Sequence, residues 1–398
     1  MRNRFYKYPF YTFCFTIPLS QLVSSRLLLV MALLSIFLSI KNFPFSSFLY
    51  QSWDLLLFFL ILAGGLIYSS DIDLGVRQLE TNLSLIGLPI AITCLPNFSK
   101  QRLDQVFYFF AVGLLAASFI CLASAVVSYT HTGDLQAFFY GALTRSIDLD
   151  PTYFAYYLIF AITYGLYLLY YELPKRYTIW MIGLVIFFFL ILMLTGGQTV
   201  FISMLLIFSF FISKYTLEKK SKRESVSVSL VTILLVCMVG LTIVFQGGDQ
   251  FRSISNQNDY WERMSLWESA ILANSNPLLG VGTGDYSLVL NDYYRTHNLT
   301  NFAMANFNSH NQFIQSYLSN GIIGLIGLLI ILLRPIYLSV KNQNMLGILL
   351  LFPFIVYGVT EVFLSRYQGV IFFALVHQLI VSNALSTKSI FSLGIQKF

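Results

Sequence analysis

Arg263, Trp267, three glycines at 280, 282 and 284, His310 and Asn311 fall within one stretch, Trp261 to Gly324, which holds the longest polar run in the chain. Arg263 and Trp267 are four residues apart, so on a helix they share a face. A guanidinium is a fixed planar fork of N–H donors suited to phosphate or carboxylate. A histidine can serve as a general base near neutral pH. His310 opens an apolar run, where polar residues also cap free backbone N–H groups, and Asn311 or Ser309 could supply that cap alone. His310 therefore reads either as part of a cap or as a base. Gly280, Gly282 and Gly284 resemble a phosphate-cradling loop, but a simple turn serves the same pattern. Pro277 and these glycines end a helix expected over 259–273 in a flexible turn.

The rest of the chain must hold that stretch in place, and its composition says how. Of 398 residues, 57% are hydrophobic and 11% charged, with mean hydropathy +0.72; soluble domains carry about 25% charged residues. The fold class is all-α, a polytopic membrane protein, read as one integral-membrane domain over 1–398. Thirty-eight Phe and 25 Tyr suit lipid contact and interfacial anchoring. The net charge of +6 marks topology, not nucleic-acid binding. The N-terminus, MRNRFYKY before an apolar run, reads as an uncleaved first helix.

A span needs about 20 apolar residues. Twelve candidates follow: 9–24, 26–40, 55–69, 83–95, 105–129, 152–171, 177–195, 198–214, 226–246, 311–333, 346–364 and 367–385. Pro89 interrupts the fourth. With both termini on the cytoplasmic side, all eleven Lys fall in inner loops, and the outer side holds Arg26, Arg77, Arg145, Arg252, Arg263, Arg295 and Arg366. This bias follows the positive-inside rule. The long outer loop, 247–310, lies between spans nine and ten, and loops of that length tend to carry function.

Other candidates read as structure. Asp71 and Asp73 could hold a metal, but a cap for an amphipathic helix at 74–82 is the simpler role. His131, His297 and His377 have no ligand spacing. His377 lies within a span, where a polar residue needs a hydrogen-bonded partner. Cys14, Cys94, Cys121 and Cys237 lie in or beside apolar runs and read as small buried hydrophobes. The chain has no Walker loop, dinucleotide fingerprint or nucleophile elbow. An enzyme on the outer face has no ATP, so its substrate must carry its own activation, as a lipid-linked diphosphate sugar does.

HNQFIQSYLSNG, which places Gly321 after His310-Asn311, resembles the signature of the O-antigen ligase and polymerase superfamily. ERMSLWESAILANSNPLLGVGTGDY resembles that family's Arg-x3-Trp segment followed by Pro-Leu-Leu-Gly-Val-Gly. The resemblance implies a glycosyltransferase in the bacterial inner membrane, with its site on the periplasmic face. Its donor would be an undecaprenyl-diphosphate-linked glycan and its acceptor a lipid A-core sugar or another glycan. His310 would activate the acceptor hydroxyl and Arg263 would bind the donor diphosphate, with Asn311, Trp267, Gly280, Gly282 and Gly321 supporting. Single displacement would invert the anomeric centre, with no metal or other cofactor. The family's second diphosphate-binding arginine is replaced here by Gln198, in LTGGQTVF, and Arg145, before DPTYFAYY, is the best substitute; Arg252 and Arg366 are the others. The alternatives are a polymerase of the carrier-linked glycan and, from another class, a lipid or glycan transporter, which would show internal repeats and helices broken near mid-membrane.

Overall fold

The structure, a computed structural model, describes residues 2–39, 43–93, 100–172, 174–195, 198–218, 226, 228–237 and 258–385. Every regular element among them is helical. In chain order the helices are α1 (Arg2–Thr16), α2 (Gln21–Ser39), α3 (Phe45–Gly64), α4 (Ile72–Asn82), α5 (Ser84–Thr93), α6 (Lys100–Thr132), α7 (Tyr140–Thr144), α8 (Pro151–Tyr171) and α9 (Thr178–Thr195). There follow α10 (Gln198–Glu218), α11 (Val228–Cys237), α12 (Asn258–Leu272), α13 (Tyr286–Thr296), α14 (Thr300–Ala305), α15 (Gln312–Lys341), α16 (Met345–Thr360) and α17 (Tyr367–Leu385).

Among the described residues, six segments are long and apolar enough to cross a membrane: Phe45–Tyr68, Leu103–Thr132, Pro151–Tyr171, Thr178–Thr195, Gln312–Lys341 and Tyr367–Ala384. Shorter apolar helices cover Gln21–Phe37, Val200–Lys214, Val228–Cys237 and Met345–Thr360. The all-helical, polytopic architecture expected from composition is therefore present. α5 has ten residues and contains Pro89, about 15 Å of helix, half a bilayer core. Cys14 and Cys121 are buried as expected, whereas Cys237 is exposed. Cys94 and Arg252 lie outside the described residues.

The chain forms two compact units. One comprises 7–27 and 100–255. Its centre is α8, started by Asp150, whose side chain accepts from Thr152 N (2.9 Å), with Pro151 in the first turn. This matches the preference for Asp at the cap and Pro just inside it. Tyr164 of α8 donates to Asp104 of α6 (2.9 Å) and stacks on Phe107 at 4.3 Å.

The other unit comprises 1–6, 28–99 and 256–398. Deep within it, Asp54 of α3 is fully buried between Arg334 of α15, which donates to its carboxylate, and His377 Nε2 of α17 (2.8 Å). His377 thus has the hydrogen-bonded packing role expected of a histidine within a span. Its partner lies 323 residues away, beyond the reach of any spacing argument. At the other end of α3, Asp71 caps α4 by accepting from Leu74 N (2.8 Å), as its position before an amphipathic helix predicts.

The expected span at 311–333 is not one continuous helix. α15 breaks at Asn320 (φ −130, ψ 20) and Gly321 (φ 62, ψ −155). An unbroken helix would pair Ile322 N with Leu318 O and Ile323 N with Ser319 O. Here those four groups turn to the 277–282 segment instead. Val281 N donates to Leu318 O and Gly282 N to Ser319 O, both at 2.9 Å; Ile322 N donates to Pro277 O (2.9 Å) and Ile323 N to Leu278 O (3.5 Å). The glycine segment is therefore docked, not a free turn. A Cβ on Gly321 would collide with Leu278 O, and one on Gly280 with Gly321 N and Asn320 N. Gly321 occupies backbone space that is essentially restricted to glycine, at about 1–3 kcal/mol for any other residue. Gly321→Ala should therefore lower the melting temperature of the detergent-purified protein and its monodisperse fraction. A variant as stable as the parent would show that the break is not held as described.

Candidate active site

α12 carries Arg263 and Trp267, and its first half faces the end of α16. Leu266 and Ala270 of α12, Leu290 and Tyr294 of α13, Ala303 of α14 and Leu318 of α15 form a small buried core, with Trp267 packed against it. Burial of these faces fixes α12, and Trp267 serves that packing. Burial also pushes the Tyr294 phenol above its ordinary range, so it stays neutral inside the cluster. The polar stretch is thus a folded cap with its own core, anchored on α15 through Leu318.

Arg263 points out of that core. Its Nη1 donates to Thr360 O at 2.5 Å, and its Nη2 lies 3.7 Å from Glu361 Oε1. The other carboxylate oxygen, Glu361 Oε2, lies 3.1 Å from His310 Nδ1. One carboxylate therefore joins the arginine and the histidine that the sequence singled out. With hydrogen on Nδ1 bonded to Glu361, Nε2 is left as the free acceptor, the arrangement that makes a neutral imidazole a base.

Each member is held locally. His310 has left-handed backbone (φ 44), sparsely populated for any residue with a Cβ; such strain persists where surroundings over-determine it and gathers at functional sites. Its N–H donates to Asn308 Oδ1 (2.8 Å), and Phe307 lies edge-on to its ring at 5.6 Å. The helix cap is Asn311, whose Oδ1 accepts from Phe313 N (2.9 Å) and Ile314 N (3.1 Å). Capping is thus assigned to Asn311, and the His310 ring is left for Glu361. Ser309 Oγ lies 2.9 Å from Asn311 O and 3.0 Å from Gln315 Oε1, and its one hydrogen shared between these two acceptors locks the turn. Glu361 follows the last residue of α16 in extended backbone (φ −147, ψ 159). The side chains of Arg263, His310 and Glu361 are 37%, 29% and 26% exposed, so all three are open to a ligand.

Gly280 and Gly282 support the docked segment and do not cradle an anion. The amides of 280, 281, 282 and 284 go to Asn276 O, Leu318 O, Ser319 O and Ser69 Oγ. A phosphate nest needs such amides free. Arg145 is exposed in a short 3₁₀ turn, Arg145–Ile147, and Gln198 opens α10; both belong to the unit built on α8. Arg366 is exposed just before α17. Among the described residues no three His, Cys, Asp or Glu side chains gather as a metal site. Sequence reasoning does not single out Glu361, because the apolar run 346–364 reads as one span, whereas α16 ends at Thr360. A lone acid before the next arginine was the available signal.

Residues 183–329 match the family model described as O-antigen ligase. That segment contains Gln198, Arg263, Trp267, Gly280, Gly282, His310, Asn311 and Gly321, and ends before Glu361. The resemblance to the O-antigen ligase and polymerase superfamily is borne out by this match over those residues. A stretch of 176 residues is also 28% identical to an uncharacterized protein of Haemophilus influenzae, covering 36% of this chain and 43% of that one, so the chain spans less than half of that relative's length.

The Glu361 contact makes a spectroscopic prediction. With four histidines in the chain, ¹⁵N-histidine spectra should resolve a His310 tautomer bearing hydrogen on Nδ1 in the parent. Glu361→Leu should shift the population toward the Nε2–H form. An unchanged His310 signal would mean the carboxylate does not hold the ring.

Proposed function

We propose that the protein is an O-antigen ligase-type glycosyltransferase. It moves a glycan from undecaprenyl diphosphate to a lipid A-core sugar on the periplasmic face of the bacterial inner membrane. In this reading the chain crosses the membrane many times with both termini cytoplasmic, and 247–310 is the periplasmic loop. The observation that carries the mechanism is the Glu361 carboxylate set between His310 and Arg263.

His310 Nε2 takes the proton of the acceptor hydroxyl as its oxygen attacks the anomeric carbon. Glu361 holds the imidazole by Nδ1 and stabilises the imidazolium that forms. The bond to the diphosphate oxygen breaks on the opposite face, so configuration inverts. Arg263 stabilises the charge that develops on the leaving diphosphate. Its contact with Glu361 is long and partly solvated, worth at most about 1 kcal/mol, so it yields readily to a diphosphate. No metal is required.

The Gln198 replacement favours one second reading, a polymerase that elongates the carrier-linked glycan with the same base and arginine. The break in α15 does not favour a transporter. It falls at the ninth and tenth residues of a 30-residue helix, and its freed backbone groups are taken by the chain itself.

Purified protein should transfer glycan from a lipid-diphosphate donor. His310→Ala should lower the rate by about 10²–10⁴-fold, the usual contribution of a general base. Arg263→Ala should lower it by about 10²–10³-fold. Unchanged turnover in His310→Ala would remove the base assignment. Loss of transfer in EDTA with recovery on adding a divalent cation would overturn the metal-free mechanism. Gln198→Arg should leave donor binding intact; a dead variant would count against the alignment at that position.

A further inference from the structure

Behind the His310–Glu361 pair lies a cavity that the transfer mechanism does not use. It holds about 30 Å³, room for one or two groups the size of a water. Its polar lining comes from α4 (Gln78, Asn82), from α15 (Gln312, Gln315, Ser316, Ser319, Asn320) and from Ser365. No Lys, Arg, Asp, Glu or His lines it. Burying so many amides and hydroxyls is costly unless each finds a partner.

Most of them do. Gln312 Oε1 accepts from Leu364 N (2.8 Å), Asn82 Nδ2 donates to Gln78 O (2.9 Å), and Gln78 Oε1 accepts from Tyr286 Oη (3.3 Å). Burial raises the Tyr286 phenol, so it remains a neutral donor. Two atoms are left over. Asn82 Oδ1 and Gln315 Nε2 are buried with no partner among the described residues, and their residues are 0% and 5% exposed. One is an acceptor and the other a donor. A single group that both donates and accepts, a hydroxyl, satisfies the pair.

The cavity lies beside the acceptor end of the site. Gln315 accepts through Oε1 from Ser309, the residue before His310. Val362, the residue after Glu361, forms part of the wall. Arg263, assigned to the donor diphosphate, meets the opposite oxygen of Glu361.

Resting on the glycosyltransferase reading above, we propose that this cavity is a specificity pocket for one hydroxyl of an uncharged acceptor sugar, held by Gln315 and Asn82. The uncharged lining selects a neutral sugar at this position over a phosphorylated or carboxylated one. A group built to hydrogen-bond a hydroxyl discriminates strongly against an analogue that lacks it.

The test uses the purified full-length protein, a lipid-diphosphate-linked glycan donor, and a core oligosaccharide ending in a neutral hexose together with its monodeoxy analogues. On the parent protein, one analogue should raise the acceptor KM about tenfold or more. Gln315→Met should raise the KM of the intact acceptor by a similar factor and abolish the penalty for that one analogue, with donor KM unchanged. Ser365→Val, which adds bulk to the lining and leaves the Gln315 amide in place, should raise acceptor KM in the same direction. Loss of Ser309 positioning alone would instead lower kcat equally for every acceptor and leave the deoxy penalty in place. That result, or the absence of any deoxy penalty on the parent, would mean that the cavity holds water only. No transfer by the parent protein would overturn the glycosyltransferase reading, and this assignment with it.

Discussion

A backbone polar group buried in a membrane protein must find a partner within the protein. The break in α15 frees two carbonyls and two amides, and the 277–282 segment donates to the carbonyls and accepts from the amides in a reciprocal exchange. That exchange fixes the rest of the unit. It ties the cap formed by α12, α13 and α14 to a spanning helix at a single register. The residues just after it are fastened to α3 and to the turn that caps α4: Thr283 Oγ1 donates to Leu62 O (2.7 Å), and Asp285 accepts from Ser70 N (2.7 Å) and Asp71 N (2.8 Å). A loop that would otherwise be free is therefore clamped on three sides, and Arg263 inherits its position from that clamp.

Strong and weak electrostatics are divided by depth. Asp54, Arg334 and His377 form a buried cluster joining α3, α15 and α17. Removing one partner there leaves an uncompensated buried charge, at about 3–5 kcal/mol. Arg263, His310 and Glu361 are each more than a quarter exposed, so their ion pairs add little to stability. Their worth is directional: Glu361 orients an imidazole and offers Arg263 a weak contact that a diphosphate can replace. The scaffold is rigid where it is dry and yielding where substrate must enter.

Much of this was legible in the sequence, for identifiable reasons. Apolar runs of span length announced the helices, the Asn after His310 announced the cap, and Asp71 announced α4. Arg263 and His310 stood out because chemistry-bearing residues are scarce in so apolar a chain. What escaped was non-local. Glu361 lies inside an apolar run of span length, and only its own charge, ahead of Arg366, hints that α16 ends one residue earlier. Gly321 carried a family resemblance, but its φ of 62° became meaningful only with Leu278 packed against it. The pairing of Asp54 with His377 spans nearly the whole chain, where periodicity has no reach. The glycines read as a phosphate loop or a simple turn, and neither reading shows the close backbone contact of Gly280 and Gly282 with the broken helix, because that partner lies about 40 residues away.

The most direct measurement is made in a strain lacking this gene, by comparing the surface glycolipid ladder with the pool of carrier-linked glycan. The account predicts long glycan chains accumulating on the lipid carrier while the lipid A-core stays bare. A core bearing a single repeat with no ladder would identify a polymerase instead. If neither pool changes, the proposed donor and acceptor are wrong.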